Sequence, residues 1–453
     1  MVNSTVIGKN IAERLPRWVG RLVPFVPFSV RFGSIYPQTR KLISKFSGKP
    51  NEQLRNEWLL ERLNLAISKS REIPFYCDLY KSHSVPETIS EWSDFQKLPI
   101  VSKADLQSAD IELRSTIAPD RIPTTTGGTS GQPLKFYLDR NAFAREWAHM
   151  HHIWEKVGYH RTALKLTLRG KDHGEKPVIY NPVHNELSVN AYSPRSEVSE
   201  FLMKEKMTSS IRYIHGYPSA IYEFCKHLHQ SQPKLLQRLR STVKSIMYGS
   251  EFPSPNYRDF VTECLGSPGI SWYGHSEMAM LASEQKPGNF IYEPMMTYGF
   301  VEAIPNEDGA MRLIATSLHN HVSPFIRYDT GDLVEPIDIE EKSGVSILHS
   351  FKIAEGRSGE FVIDRSGSRI PLTALIFGLH HELFAWANFV QVSQLKPGEI
   401  TVHVSCGPDK TTIDAKNDFH SSKIDMKIEF EVRSTPVRTS AGKVPLLISS
   451  DQV

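Results

Sequence analysis

Between Ile211 and Tyr273 the chain alternates short apolar runs with helical patterns, and this alternation constrains the fold more than any other stretch. Ile211–Ile214, Val243–Tyr248 and Ile270–Tyr273 read as buried strands. Between them, Pro218–Leu228 sets Ile221, Phe224, Cys225 and Leu228 on one helical face, and Tyr257–Leu265 forms a second helical pattern. A strand that runs parallel to its predecessor needs a crossover, which a helix supplies, so the expected class is α/β with a largely parallel sheet. Ligands of such sheets lie beyond the carboxyl ends of the strands. The segments at those ends are His215–Ser219, Gly249–Glu251 and Gly274–Glu277, all rich in glycine and polar side chains.

Other segments flank this centre. Leu54, Trp58, Leu59, Leu63, Ala66 and Ile67 recur at helical spacing and stop before Ile73-Pro74, which predicts an amphipathic helix closed by a turn. Tyr298–Ile304 and Met311–Leu318 surround Asn306-Glu307-Asp308-Gly309, a strand-turn-strand pattern that marks an antiparallel β subdomain. Past Gly356-Arg357 a new unit begins, with strands at Phe361–Ile363 and Ile370 around Ser366-Gly367, a helix through Thr373–Phe384, and strands Val390–Leu395, Ile400–Val404 and Lys427–Val432. A βαββαβ order over roughly a hundred residues makes a small independent domain. The expected division is therefore a large domain over 1–355 and a small one over 356–453.

The 453 residues, 40% hydrophobic and 23% charged, hold enough material for two cores. Lys plus Arg number 53 against 50 Asp plus Glu, a balance that gives no reason to expect nucleic acid as partner. Cys77, Cys225, Cys264 and Cys406 are scattered, with no CxxC pair and no export signal ahead of them, so reduced thiols and a cytoplasmic location are expected. The apolar patch from Trp18 to Phe32 is interrupted by Arg21, Pro24, Pro27 and Arg31 and is too short and too charged to span a bilayer. Packing onto the domain and a peripheral membrane or docking contact are both open readings of it.

Thr124-Thr125-Thr126-Gly127-Gly128-Thr129-Ser130-Gly131-Gln132-Pro133 interleaves glycines with hydroxyls, a composition that suits a loop wrapping phosphate with backbone N–H groups and side-chain oxygens. It contains no GxxxxGK[ST] pattern, so it is not the loop of the P-loop NTPases, and any phosphate-directed lysine comes from elsewhere. A plain turn has the same composition, and the loop by itself leaves both readings open. His149, His151 and His152 lie on a predicted helix, Ala142–Lys156, where only His149 and His152 share a face, a poor basis for a metal site. His215 and His275 flank the predicted ligand edge as substrate contacts or as ordinary hydrogen-bonding groups. A Ser-His-Asp hydrolase is excluded early, because the loop never forms GxSxG.

Set in chain order, five elements resemble the adenylate-forming enzyme superfamily, and within it the phenylacetate-CoA ligase family with its relatives in capsule and surface polysaccharide biosynthesis. Thr126–Pro133 is similar to the phosphate loop, with Gln132 where many members carry lysine and Gly127 in place of a hydroxyl residue. Tyr273-Gly274-His275-Ser276-Glu277 resembles the YGxSE element, Tyr328-Asp329-Thr330-Gly331-Asp332 the YxTGD element, and Gly356-Arg357-Ser358-Gly359-Glu360 the GRxxD hinge with glutamate for aspartate. Arg438-Thr439-Ser440-Ala441-Gly442-Lys443 is similar to the terminal RTxxGK segment. The resemblance covers most of the chain and implies an acyl-CoA synthetase-like fold: a large N-terminal domain with mostly parallel sheets and a β subdomain, and a small mobile α+β C-terminal domain.

The resemblance also implies roles. Thr126, Gly127, Gly128, Thr129, Ser130 and Gly131 would cradle the β and γ phosphates of ATP, and Glu277 would bind Mg2+. Asp332 would accept the ribose hydroxyls. Gly249, Ser250, Glu251, Tyr273 and Gly274 would line the adenine, with the Tyr273 ring on the base or at the core rim. Arg357 would reach the ribose or phosphate, or pair with a carboxylate at the hinge. Lys443 would stabilise the α-phosphate and the incoming carboxylate, a role that the chemistry favours because the reacting centre gains negative charge. The implied activity is an AMP-forming ligase that activates a small carboxylic acid and passes the acyl group to CoA or another acceptor. Met278–Arg327 holds no cysteine, so the zinc that some members carry there is not expected. The departures at Gly127, Gln132 and Glu360 motivate an alternative, a catalytically silent nucleotide-binding partner protein on the same scaffold.

Overall fold

The computed structural model describes residues 17–48, 51–125, 134–169, 171, 173–190, 193–355, 361–365, 367, 369–376, 381–420, 426–438 and 444–448. Two compact units emerge. The larger takes in Leu134–Thr330 and Val334–Ile353 with the residues before the glycine–hydroxyl loop; the smaller takes in Ala354–Val453 and the short stretch Gly331–Leu333.

The strands that begin in the larger unit are β1 (Ile122–Thr125), β2 (Lys135–Leu138), β3 (Leu164–Leu168), β4 (Val178–Asn181), β5 (Glu186–Val189), β6 (Ile211–Gly216), β7 (Ser245–Tyr248), β8 (Gly269–Gly274), β9 (Leu281–Glu284), β10 (Tyr292–Pro294), β11 (Gly299–Pro305), β12 (Met311–Ser317), β13 (Tyr328–Lys342) and β14 (Val345–Glu355). β1 and β2 form a separate antiparallel pair. The others make one sheet in the order β11-β12-β13-β14-β10-β9-β8-β7-β6-β3-β5-β4. β5, β3, β6, β7 and β8 run parallel to one another, and at the two ends of this run, from β5 to β4 and from β8 to β9, the pairing turns antiparallel.

The parallel region is the one predicted from its alternation. Its crossover helices, Pro218–Ser231 and Pro255–Leu265, each begin with proline in the first turn, where the missing N–H costs nothing. Gly266, in the left-handed region at φ 66°, closes the second. Successive residues of β6 and β7 face opposite sides: Ile214, Ile246 and Tyr248 pack with Ile221, Phe224, Leu228 and Val261 of the crossover helices. Tyr213 and Met247 meet Met150, Ile153 and Trp154 of the helix Ala142–Glu155. Burial on both faces is what a parallel sheet requires.

The amphipathic helix predicted near Leu54 spans Glu52–Ser70, capped by the Asn51 side chain, and buries Leu59, Leu63, Ala66 and Ile67. The predicted hairpin is β11–β12, paired from Gly299↔Ser317 to Pro305↔Met311. Its turn is held by the Asn306 side chain, which accepts from the backbone N–H groups of Asp308 (3.0 Å) and Ala310 (2.8 Å).

In the smaller unit, β15 (Phe361–Ile363) and β16 (Arg369–Pro371) pair as a hairpin. β17 (Phe389–Lys396), β18 (Glu399–Ser405), β19 (Lys427–Arg433) and β20 (Leu447–Ile448) form a sheet in the order β19-β18-β17-β20. The helix Thr412–Asn417 carries a capping box between Thr411 and Asp414 and buries Ala415 against this sheet's core. One expectation is corrected here. The predicted helix Thr373–Phe384 is not continuous: a helix covers Leu372–Ile376 and a 3-10 turn Glu382–Ala385. His381 stands before the turn in an extended conformation, held by its Nε2, which bonds to the Leu375 carbonyl at 2.7 Å. Residues 377–380 lie outside the described residues.

Candidate functional site

The register of the parallel strands fixes what meets at their carboxyl ends. Leu168 of β3 pairs with Gly216 of β6, Gly216 with Tyr248 of β7, and Tyr248 with Ser271 of β8. The residues that follow, Arg169, Tyr217, Gly249 and Trp272, are therefore brought side by side. Gly216 permits the approach of β3 and β6, since a Cβ there would stand 2.0 Å from the Leu168 carbonyl oxygen.

Gly249 has a similar constraint from a side chain. A Cβ at this position would lie 2.1 Å from the Trp272 indole, whose ring covers it. Trp272 in turn lies 5.4 Å from the His215 ring and 5.9 Å from Trp154. The next residue, Ser250, sits in the left-handed region at φ 69°, and its hydroxyl accepts a 2.7 Å hydrogen bond from Arg169. The same guanidinium lies 5.4 Å from the Tyr217 ring.

Beyond β8, the expected elements YGxSE and YxTGD come together. Glu277 is 7% exposed; one carboxylate oxygen accepts from the Tyr328 hydroxyl at 3.1 Å, and the other lies 3.1 Å from His275 Nδ1. The carboxylate oxygen accepts in this contact and the imidazole Nδ1 donates. The Nε2 of the same ring is buried and has no hydrogen-bond partner among the described residues. Tyr328 is itself fixed where β13 begins: Val101 bridges to it, and Arg327 beside it holds Glu302 through two bonds of 3.0 and 2.8 Å while donating to the carbonyls of Gln96 and Leu98. Tyr273 points away from Trp272 because strand neighbours face opposite sides, and its ring meets Phe351 edge-on at 5.8 Å.

The helix Ala142–Glu155 adds a group that the sequence reading missed. The Tyr298 hydroxyl donates to the Glu146 carboxylate, and burial raises the carboxyl's pKa although Tyr298, His275 and Arg169 all oppose the rise. His149 uses both ring nitrogens, Nδ1 on the Arg145 carbonyl at 2.8 Å and Nε2 on the Thr297 hydroxyl at 3.0 Å, and burial lowers its pKa to about 4. His151 bonds to the Tyr36 hydroxyl at 2.8 Å within a ring of aromatics. Both are core histidines. Among the described residues no group of three or more His, Cys, Asp or Glu is arranged to hold a metal. His215, packed between Trp154 and Trp272, bonds through Nδ1 to the Met247 carbonyl at 3.0 Å, and burial with the nearby Arg169 lowers its pKa to about 3.

Of the residues expected at the site, Gly249, Ser250, Glu251, Tyr273, Gly274 and Glu277 all lie at or just past the carboxyl ends of β7 and β8. Asp332 is in β13 and groups with the smaller unit. Thr126, Gly127, Gly128, Thr129, Ser130, Gly131, Arg357 and Lys443 lie outside the described residues. Sequence reasoning missed Arg169, Glu146 and Trp272. Arg169 directly follows a strand at the ligand edge, a signal that reading β3 would have supplied.

No protein-family model matches this chain. By sequence it is similar to protein CapK of Staphylococcus aureus, 22% identical over 324 residues that make up 69% of each chain. By structure it resembles 2-hydroxyisobutyryl-CoA ligase in a postadenylation state with R3-HIB-AMP, with a TM-score of 0.62, 15% identity, and coverage of 88% of this chain and 90% of that one. It also resembles AtGH3.15, an acyl acid amido synthetase in complex with 2,4-DB, with a TM-score of 0.59, 12% identity, and coverage of 92% and 94%. Over nearly its whole length this chain has the fold of the adenylate-forming enzymes, and protein CapK is among its sequence relatives.

Proposed function

We propose that the protein is an ATP-dependent, AMP-forming ligase. A carboxylate oxygen of the acid attacks the α-phosphorus of ATP, the bond from that phosphorus to the bridging oxygen breaks, and pyrophosphate leaves with the electron pair. The observation that carries this reading is the Glu277–Tyr328–His275 cluster, which ties the YGxSE and YxTGD elements together at the ligand edge of the sheet. Glu277 suits Mg2+ as a hard oxygen donor held in place by two neighbours, since this ion takes one or two carboxylates beside phosphate and water. Bound there, Mg2+ would offset phosphate charge. Tyr328 and His275 keep the carboxylate aimed, Arg169 adds positive charge at the same edge, and Lys443 supplies the ammonium group for the α-phosphate.

Glu146, Arg169 and His275 Nε2, which is buried without a partner among the described residues, support an acid bearing a hydroxyl or amino group rather than a plain fatty acid. The acceptor is CoA or an amine: the two structural relatives form a CoA ligase and an amido synthetase, and the likeness to CapK supports a place in surface-polysaccharide assembly. The test is carboxylate-dependent exchange of pyrophosphate into ATP over a panel of hydroxy, amino, uronic, aryl and fatty acids. Exchange that Lys443→Ala abolishes in folded protein supports the ligase. ATP binding without exchange for any acid, unchanged in that variant, would instead mark the silent nucleotide-binding scaffold.

A further inference from the structure

We infer that the outward face of residues 18–30 is a membrane-contact surface for an anionic lipid leaflet. Five large apolar side chains stand in solvent on this short stretch: Trp18 is 73% exposed, Leu22 61%, Phe25 71%, Val26 37% and Val30 72%. Single exposed apolar residues are ordinary; five within thirteen positions are not.

The segment is fixed to the larger unit from beneath, so the exposure is built in. Phe28 is 4% exposed and meets the rings of His151 at 4.6 Å and Tyr36 at 5.1 Å. Arg31 lies over the Phe28 ring at 3.7 Å and donates to the Val183 carbonyl at 2.6 Å. Gly20 comes so close to Pro182 that a Cβ would stand 3.2 Å from it. The chain is a run of tight turns, Arg17–Gly20, Val23–Phe25 and Phe28–Phe32, in which Leu22, Phe25, Val26 and Val30 donate their N–H groups to the carbonyls of Val19, Leu22, Val23 and Pro27. Backbone groups paired in this way enter a headgroup layer without the cost of bare donors.

Charge selects the occupant. Lys9, Arg14, Arg17 and Arg21 oppose a single acid, Glu13, between positions 9 and 21, and Arg161 lies 6.0 Å from the Phe28 ring. A net-basic stretch of sequence leading into exposed tryptophan and phenylalanine side chains matches the interfacial region of an anionic leaflet, where apolar rings sit at headgroup depth and cations meet lipid phosphates. The attachment is peripheral, since no helix of the described residues is long and apolar enough to cross a membrane.

The test uses the full-length protein and sedimentation with vesicles of phosphatidylcholine alone or mixed with phosphatidylglycerol. Wild-type protein is expected to pellet with the anionic vesicles and to be released by salt. Trp18→Glu, Phe25→Glu and Val30→Glu, all at exposed positions, should each lower partitioning about tenfold or more, while thermal unfolding and pyrophosphate exchange stay unchanged. Wild-type protein left in the supernatant with both vesicle types would overturn the inference, as would a triple variant that pellets like the wild type. Sedimentation velocity covers the remaining case: a wild-type dimer dispersed by the triple variant, without vesicle binding, would make this face a contact between copies and equally refute it.

Discussion

Gly249→Ala is the substitution whose outcome the structure fixes most sharply. Gly249 is not among the glycines of positive φ, so its backbone suits any residue and only the Trp272 indole excludes a side chain. The added methyl would meet ring carbons at 2.1, 2.4 and 2.5 Å, and the ring cannot swing freely because His215 and Trp154 stand 5.4 and 5.9 Å from its centre. Overpacking of this kind costs about 1–3 kcal/mol. Alanine also restricts the unfolded chain, which stabilises by about 0.4–1 kcal/mol, so the net loss should be on the order of 1–2 kcal/mol. In a Trp272→Ala background the clash is gone and only the second effect remains. The same Gly249→Ala change should then be neutral or stabilising. Urea unfolding of the four proteins followed by circular dichroism reads both values, and a sign reversal between backgrounds is the expected signature. Equal and additive losses would mean that Trp272 does not cover Gly249, and the packing at this end of β7 and β8 would have to be redrawn.

Glu277→Gln keeps an acceptor for Tyr328 but removes the charge, and should lower pyrophosphate exchange by about a hundredfold or more with thermal stability nearly unchanged; full activity would remove Glu277 from the proposed chemistry. Arg327→Met leaves Glu302 buried without its partner and should cost about 3–5 kcal/mol, most of it recovered by adding Glu302→Leu; chemical denaturation decides, and no recovery would show that the loss arises elsewhere. Burial lowers the pKa of His149 to about 4 and those of His215 and His319 to about 3. Each is neutral when folded and takes up a proton near pH 6.5 when unfolded. Stability should therefore be complete above that pH and fall as pH drops toward 3–4, by roughly 1.4 kcal/mol per pH unit for each histidine. Urea unfolding free energies that stay flat between about pH 7 and pH 5 would contradict this.

The sequence by itself determined the alternating strands and helices from Ile211 to Tyr273, the β11–β12 hairpin and the amphipathic helix of Glu52–Ser70, because in each the period of apolar residues equals the period of the backbone. It also placed Gly249, Tyr273 and Glu277 at strand ends, since turn residues follow buried runs. Only the tertiary structure revealed β3 and β5 as members of the sheet. Their Lys165, Thr167 and Glu186 look solvent-facing in a linear reading, yet Lys165 reaches Glu186 at 3.2 Å and Thr167 donates to it at 2.8 Å, so the polar groups satisfy one another in the interior. Arg169 beside Ser250, Glu146 beneath Tyr298 and Trp272 over Gly249 likewise join residues 81, 152 and 23 positions apart. Local periodicity carries no information about such pairs, because the energy that selects them exists only once the chain has closed around them.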